Sequence, residues 1–203
     1  MLHYYCRAGV NWGSANQHKA SDCMKRQPEI LATQTLARTR LFHIEQVDLQ
    51  FSNGTRVQFE RMSASPQGAV LIVPMLDEDT VVLIREYAAG TARYELALPK
   101  GRIGKGEAIL DAANREIMEE IGYGAHSLQH LSSMTLAPGY SSQTTHVVLA
   151  QDLYAQQAEG DEPEPVESVP WSLRDLSGLL AQADLTEART IAALYMARDH
   201  LTG

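Results

Sequence analysis

Cysteine is scarce in this chain: Cys6 and Cys23 are the only two, both fall in the first 23 of 203 residues, and neither has metal-ligand spacing. A disulfide scaffold is therefore not expected. Long apolar runs are absent as well, since no stretch approaches the roughly 18 residues that a membrane span requires. The start lacks the basic segment and apolar core of a secretion signal, so a cytoplasmic protein outside any membrane is expected. Positive charge is in deficit, with 17 Lys and Arg against 25 Asp and Glu and a net charge of −8. Nucleic-acid polymers are poor partners for such a balance, because binding them relies on a cationic face. The seven histidines show no ligand spacing, and no Ser-His-Asp or Cys-His arrangement points to covalent catalysis.

With 44% hydrophobic residues, the chain suits one medium-sized domain with a small appendage. Residues 1–23 are polar and aperiodic, a more natural start, MKRQPEIL, opens at Met24, and the segment ahead of the first structured part is bounded at residues 1–27. They are expected to be an upstream or non-native extension with little order. Residues 28–65 form an expected N-terminal β segment and residues 66–203 the main domain. Strand patterns cover residues 41–51 and 56–62, and Asn53-Gly54 between them predicts a type I′ hairpin turn. Further strands are expected at 70–74, 81–85, 94–98, 128–136 and 144–149, and helices at 108–121, 173–183 and 186–200. Residues 159–167 read as an acidic, proline-rich loop. Strands mixed with a few helices, without βαβ alternation, indicate a mixed sheet covered by helices.

The most informative stretch is GRIGKGEAILDAANREIMEEIGY, from Gly101 to Tyr123. Glu116, Glu119 and Glu120 are spaced three and four residues apart, so on a helix they share a face. Carboxylates crowded together repel unless a cation joins them, and hard oxygen donors suit Mg²⁺ or Mn²⁺. The same spacing also describes a solvated acidic helix face. Against that alternative, the turn offers Arg115 as its only cation, and the loop before it is built on Gly101, Gly104 and Gly106 at an entropic cost that an ordinary helix start does not require.

These residues resemble the Nudix box, GX5EX7REUXEEXGU with U an aliphatic residue. Gly101, Glu107, Arg115, Glu116, Ile117, Glu119, Glu120 and Gly122 match, and Tyr123 departs at a packing position. The likeness extends over Met24 to Gly203, through segments such as VVLIREYAAGTARYEL and LYAQQAEGDEPEPV, and is strongest toward the ADP-ribose pyrophosphatase side of the family. It implies an α/β/α sandwich with a mixed sheet, preceded by an N-terminal β-hairpin segment used in forming a homodimer. It implies Mg²⁺-dependent hydrolysis of a diphosphate linkage in nucleoside diphosphate derivatives: ADP-ribose, diadenosine oligophosphates or NADH. Pro138 and Tyr140 stand near positions where family members of different substrate preference carry proline or tyrosine, although Ala137-Pro138-Gly139 is also simply a good turn.

Carried onto this chain, the resemblance makes Glu116 and Glu120 the principal metal ligands, with Glu119 shared or bound through water and the Lys100 carbonyl as a further ligand. Arg115 lies four residues before Glu119, where it can hold that carboxylate in a ligating rotamer. Glu107 is expected to brace the loop at the helix start. Relatives take their general base from a distant mobile loop, here Glu162, with Glu164 next in order. Arg85 is expected to meet a phosphate, Tyr87 to stack on adenine and Glu95 to accept a hydrogen bond from base or ribose, unless Arg85 and Tyr87 pack at a subunit interface instead. A non-catalytic module that senses ADP-ribose is the rival from another class. An RNA 5′-end pyrophosphohydrolase is disfavoured by the acidic balance.

Overall fold

The computed structural model describes residues 26–160 and 163–203, so nearly all of the expected extension, and Glu162 with it, lie outside the described residues. Strands β1 (Glu29–Arg38), β2 (His43–Gln50) and β3 (Arg56–Met62) form an antiparallel N-terminal sheet. The main domain holds two further sheets. One has the order β10-β5-β6, from Glu167–Ser172, Thr80–Ala88 and Arg93–Ala97. The other has the order β7-β4-β9-β8, from Lys100–Arg102, Ala69–Pro74, Thr144–Ala155 and Tyr123–Thr135. The β4–β9 pair is parallel and its neighbours are antiparallel, so this sheet is mixed.

Alternation along the central strands sorts side chains into two cores. Val70 and Ile72 of β4 and Val148 and Ala150 of β9 pack with Ala113 and Ile117 of helix α1 (Ile109–Glu120). Leu71, Val73, Val147 and Leu149 point the other way, toward Leu176 and Leu179 of α2 (Leu176–Leu180) and Leu194 and Ala197 of α3 (Ala188–Thr202). Helices thus cover both faces of a mixed sheet in an α/β/α sandwich. Among the described residues, no helix is long and apolar enough to cross a membrane.

Three local expectations need correction. The β2–β3 hairpin does not close through a type I′ turn, which would need positive φ at both Asn53 and Gly54. Only Gly54 has it, at 84°. Phe51 N–H donates to the Thr55 carbonyl at 2.9 Å and Gly54 N–H to the Phe51 carbonyl at 2.9 Å, giving a three-residue loop with glycine in the left-handed position. β1 and β10 were not expected as strands. β1 is exposed along its whole length and has no one-sided burial, while β10 is a short edge strand that sets only Val169 and Trp171 against the core and carries Pro170 between them. The helix expected over 173–183 is instead a 3₁₀ turn, Leu173–Asp175, followed by the short α2. Asp175 breaks the run by accepting the Gly178 N–H at 3.1 Å as an N-cap.

Candidate active site

The Gly-rich loop and α1 are locked together by one arginine. The Arg115 Nε donates to Glu107 Oε1 at 2.9 Å, and its Nη1 donates to Glu116 Oε1 at 2.8 Å and to Glu119 Oε2 at 2.9 Å. Its Nη2 donates to the Arg102 carbonyl at 3.0 Å and to Glu107 Oε2 at 3.2 Å. Glu107 in turn accepts the Gly104 N–H at 2.6 Å, closing the loop on the helix start. The fork geometry of a guanidinium makes this arrangement possible, since an ammonium group has no fixed planar array of donors. The Arg115 guanidinium is raised, first by Glu107 and then by Glu116, while the Glu107 carboxyl is held below its usual range chiefly by Arg115. Sequence spacing pointed only to the Arg115–Glu119 contact.

Gly101 is required by close approach. A Cβ built there would lie 1.9 Å from the Glu116 Cδ and 2.0 and 2.1 Å from its two oxygens. The Glu116 carboxylate therefore occupies the space that any other residue at 101 would fill. Gly106 meets a different demand, a left-handed backbone with φ of 79°.

Glu116, Glu119 and Glu120 line one cavity of about 890 Å³, together with Lys100, Gly101 and Arg115. Glu120 is buried, and its Oε2 accepts the Lys100 N–H at 3.2 Å. Burial, reinforced by the nearby Glu86 and Glu116 charges, outweighs Lys100 and pushes its carboxyl up to about 8. The Lys100 ammonium is committed to Glu86, a partner that sequence reasoning missed. Among the described residues no three acidic or imidazole groups stand in ready-made ligand geometry. Arg115 draws Glu116 and Glu119 to itself and the Lys100 amide draws Glu120, so a bound cation would have to re-aim these oxygens. The donor set nevertheless fits a hard divalent ion. It consists of oxygens from three carboxylates, one of them buried at an energetic cost that a cation would relieve, and it is packed against a glycine that leaves it room.

The expected nucleotide residues fall into two groups. Arg85 and Tyr87 share a face of β5 and line a second cavity of about 280 Å³, which Tyr94 and Glu164 also line. Arg85 Nε donates to Asp184 Oδ2 at 3.0 Å and Nη1 to Glu167 Oε1 at 2.7 Å, so its charge is already matched by two carboxylates. Tyr87 meets Tyr94 edge-on, with ring centroids 5.6 Å apart. Glu95 does not line this cavity. It is buried, and accepts from Arg93 Nε at 2.9 Å and from the Thr186 hydroxyl at 3.1 Å.

Of the two expected bases, Glu162 lies outside the described residues and Glu164 lines a different cavity from the box carboxylates. The Tyr94 hydroxyl donates to Glu164 Oε1 at 2.6 Å, which holds this carboxylate in the 280 Å³ cavity. Glu159, from the same loop, does line the 890 Å³ cavity, and its place in an acidic run gave no signal of that. Arg40 and Leu41 also reach this cavity, from the β1–β2 turn. Pro138 and Tyr140 do not. They face the N-terminal sheet across a groove shared with Ile30, Val47 and Phe59, and the Met62 N–H donates to the Tyr140 carbonyl at 2.7 Å.

Comparison with known proteins shows the family. Residues 28–61 match the NudE-type Nudix hydrolase N-terminal domain and residues 65–194 the NUDIX domain. The chain is 49% identical to the ADP compounds hydrolase NudE of Escherichia coli (strain K12) over 178 residues, covering 88% of this chain and 95% of that protein. It is 28% identical to the ADP-ribose pyrophosphatase of Bacillus subtilis (strain 168) over 171 residues, covering 81% and 91%. A crystal structure of an ADP compounds hydrolase superposes with a TM-score of 0.82 at 49% identity, covering 88% of this chain and 96% of that one. The chain thus belongs to the Nudix hydrolase family, in its NudE-type branch, and is a pyrophosphohydrolase.

Proposed function

We propose that this chain hydrolyses the P–O–P bridge of ADP-linked compounds in a Mg²⁺-dependent reaction (Mn²⁺ being an alternative ion), releasing AMP. ADP-ribose, diadenosine oligophosphates and NADH are the expected substrates. The observation that carries this reading is the convergence of Glu116, Glu119 and Glu120 on one cavity large enough for a dinucleotide-sized ligand. The names of the E. coli and B. subtilis relatives point to the same substrate class.

Glu116 and Glu120 would hold the ion, with Glu119 and the Lys100 carbonyl beside them. When bound, such an ion offsets phosphate charge and makes a bound water more acidic. The remaining roles belong to side chains. Arg115 keeps Glu116 and Glu119 on the cavity side of α1, and Glu107 fixes the loop that carries Gly101. Glu162 is the proposed base that takes the proton of the attacking water, since Glu164 is engaged by Tyr94 and would first have to leave it. Arg85, Tyr87 and Glu95 are proposed to serve the nucleotide. Arg85 and Tyr87 would do so directly, and Glu95, already engaged by Arg93 and Thr186, by holding the end of β6.

The N-terminal sheet supports a homodimer, because Ile30, Leu36 and Phe59 are about half exposed and Val47 is its one buried hydrophobic residue among the described residues. Light scattering on the purified chain tests the dimer. A side-by-side panel of ADP-ribose, diadenosine oligophosphates and NADH, with kcat and KM for each, tests the substrate class. Tight binding of ADP-ribose without product release would favour the sensing module instead.

A further inference from the structure

The cavity walls carry more cationic side chains than the metal site uses, and among the described residues two of them have no carboxylate partner. Arg115 is spent on Glu107, Glu116 and Glu119, and Lys100 on Glu86. Arg40 and Arg102 also line the 890 Å³ cavity, and among the described residues neither guanidinium has a hydrogen-bond or ion-pair partner. Arg102 sits on β7 immediately after Gly101 and sends its carbonyl, not its side chain, to Arg115.

Arg40 comes from elsewhere in the chain. It stands at the tip of the β1–β2 turn, which Thr39 closes with hydrogen bonds to Phe42. The Thr39 N–H donates to the Phe42 carbonyl at 2.8 Å, and the Phe42 N–H returns to the Thr39 hydroxyl at 2.8 Å. The turn thus presents Arg40 at the cavity mouth at little cost in backbone freedom. Leu41 and Arg102 also line an adjoining cavity of about 330 Å³ that runs under the N-terminal sheet past Phe42 and Met62. A substrate held by its diphosphate at the box carboxylates can therefore extend past Arg40 and Arg102 toward the N-terminal segment.

We infer that Arg40 and Arg102 bind the phosphate lying outside the cleaved diphosphate, and so favour ADP-linked substrates with three or more phosphates over those with two. The inference rests on the hydrolase reading above and adds its phosphate-number preference. The reasoning is one of charge. The box carboxylates and a divalent ion are matched to a diphosphate. A third phosphate brings a further negative charge beside the acidic wall of Glu119 and Glu159, where it is repelled unless cations meet it. Guanidinium groups suit this role because they bind phosphate oxygens through paired, charge-assisted hydrogen bonds.

The test measures kcat and KM of the full chain and of Arg40→Ala at saturating Mg²⁺, with ADP-ribose and with diadenosine triphosphate. The expected result is a loss of about 10- to 100-fold in kcat/KM for the triphosphate, the worth of one charge-assisted hydrogen bond, borne mainly by KM. ADP-ribose should change by less than about threefold by the same reasoning, because no phosphate of it reaches Arg40. Arg102→Ala should shift the ratio in the same direction, and Arg40→Lys should restore part of it. Arg40 is exposed, so its variants should melt with the parent. Equal losses on both substrates, or none on either, would overturn the inference while leaving the hydrolase reading intact. A parent protein inactive on both substrates would overturn the reading of the site itself, and this inference with it.

Discussion

Replacing Gly101 by alanine separates the chemistry of the site from the stability of the fold. The new methyl carbon would start 1.9 Å from the Glu116 Cδ, against an ordinary contact of 3.4 Å or more, so one of the two must move by roughly 1.5 Å. The atoms in the way are the far end of a side chain, held by Arg115, rather than backbone, and Gly101 does not sit at positive φ. Glu116 can swing aside only by giving up its bond to Arg115, at about 1.5–3 kcal/mol, while alanine narrows the unfolded ensemble by about 0.4–1 kcal/mol, so the net loss of stability should stay within about 3 kcal/mol. Activity should not be spared, because displacing a catalytic group by about 1 Å costs on the order of 10²-fold in rate. Mg²⁺ titrations of hydrolysis, paired with thermal melts of the metal-free protein, read both quantities. A variant that keeps its activity within about threefold, or one that loses activity only because it unfolds, would refute the claim that residue 101 must be glycine to leave space for the Glu116 carboxylate.

Three further outcomes follow from the same geometry. With its carboxyl at about 8, Glu120 keeps a proton in the folded, metal-free protein that the unfolded chain has released, so stability in EDTA should fall as pH rises from 6.5 to 8, by about 2 kcal/mol. Denaturant midpoints across that window should show this slope, and Glu120→Gln or saturating Mg²⁺ should flatten it; a slope of the opposite sign contradicts the assignment. The window starts at 6.5 because below it the burial-lowered His146 contributes in the reverse sense. Arg115→Lys loses the fork that reaches Glu107, Glu116 and Glu119 together, and should lower kcat and Mg²⁺ affinity by about 10- to 100-fold while the melting temperature changes by only a few degrees. For the base, Glu162→Gln should lower kcat by about 10² to 10⁴, and a drop under about tenfold would move the role to Glu159, which already lines the cavity.

The box was legible because its residues are constrained by each other over short spans. The spacing of Glu116, Glu119 and Glu120 fixes one helix face, and Gly122, at φ of 74°, ends the helix as the sequence suggested. The central strands were legible because alternate residues feed two different cores. Less could be read where partners are distant in sequence. Nothing local in Arg85 announces Asp184 and Glu167, and nothing in Glu164 announces Tyr94, because those contacts form only when β5, β6 and the acidic loop assemble. Exposed strands such as β1 carry no burial pattern, and the reach of Arg40 into the cavity depends on how the N-terminal sheet docks. The Asn53-Gly54 pair signalled a hairpin correctly but not its turn type, since both I′ turns and three-residue loops use glycine at the same place.

The central claim, that the box carboxylates hold a divalent ion that makes a P–O–P bridge cleavable, meets its most direct test in AMP release from ADP-ribose by the purified chain with Mg²⁺, with EDTA, and with Glu120→Gln. The account predicts stoichiometric AMP and ribose 5-phosphate with Mg²⁺, one water consumed per bond cleaved, and near-complete loss in the other two arms. AMP release that survives EDTA, or that survives the loss of the Glu120 charge at full rate, would contradict it.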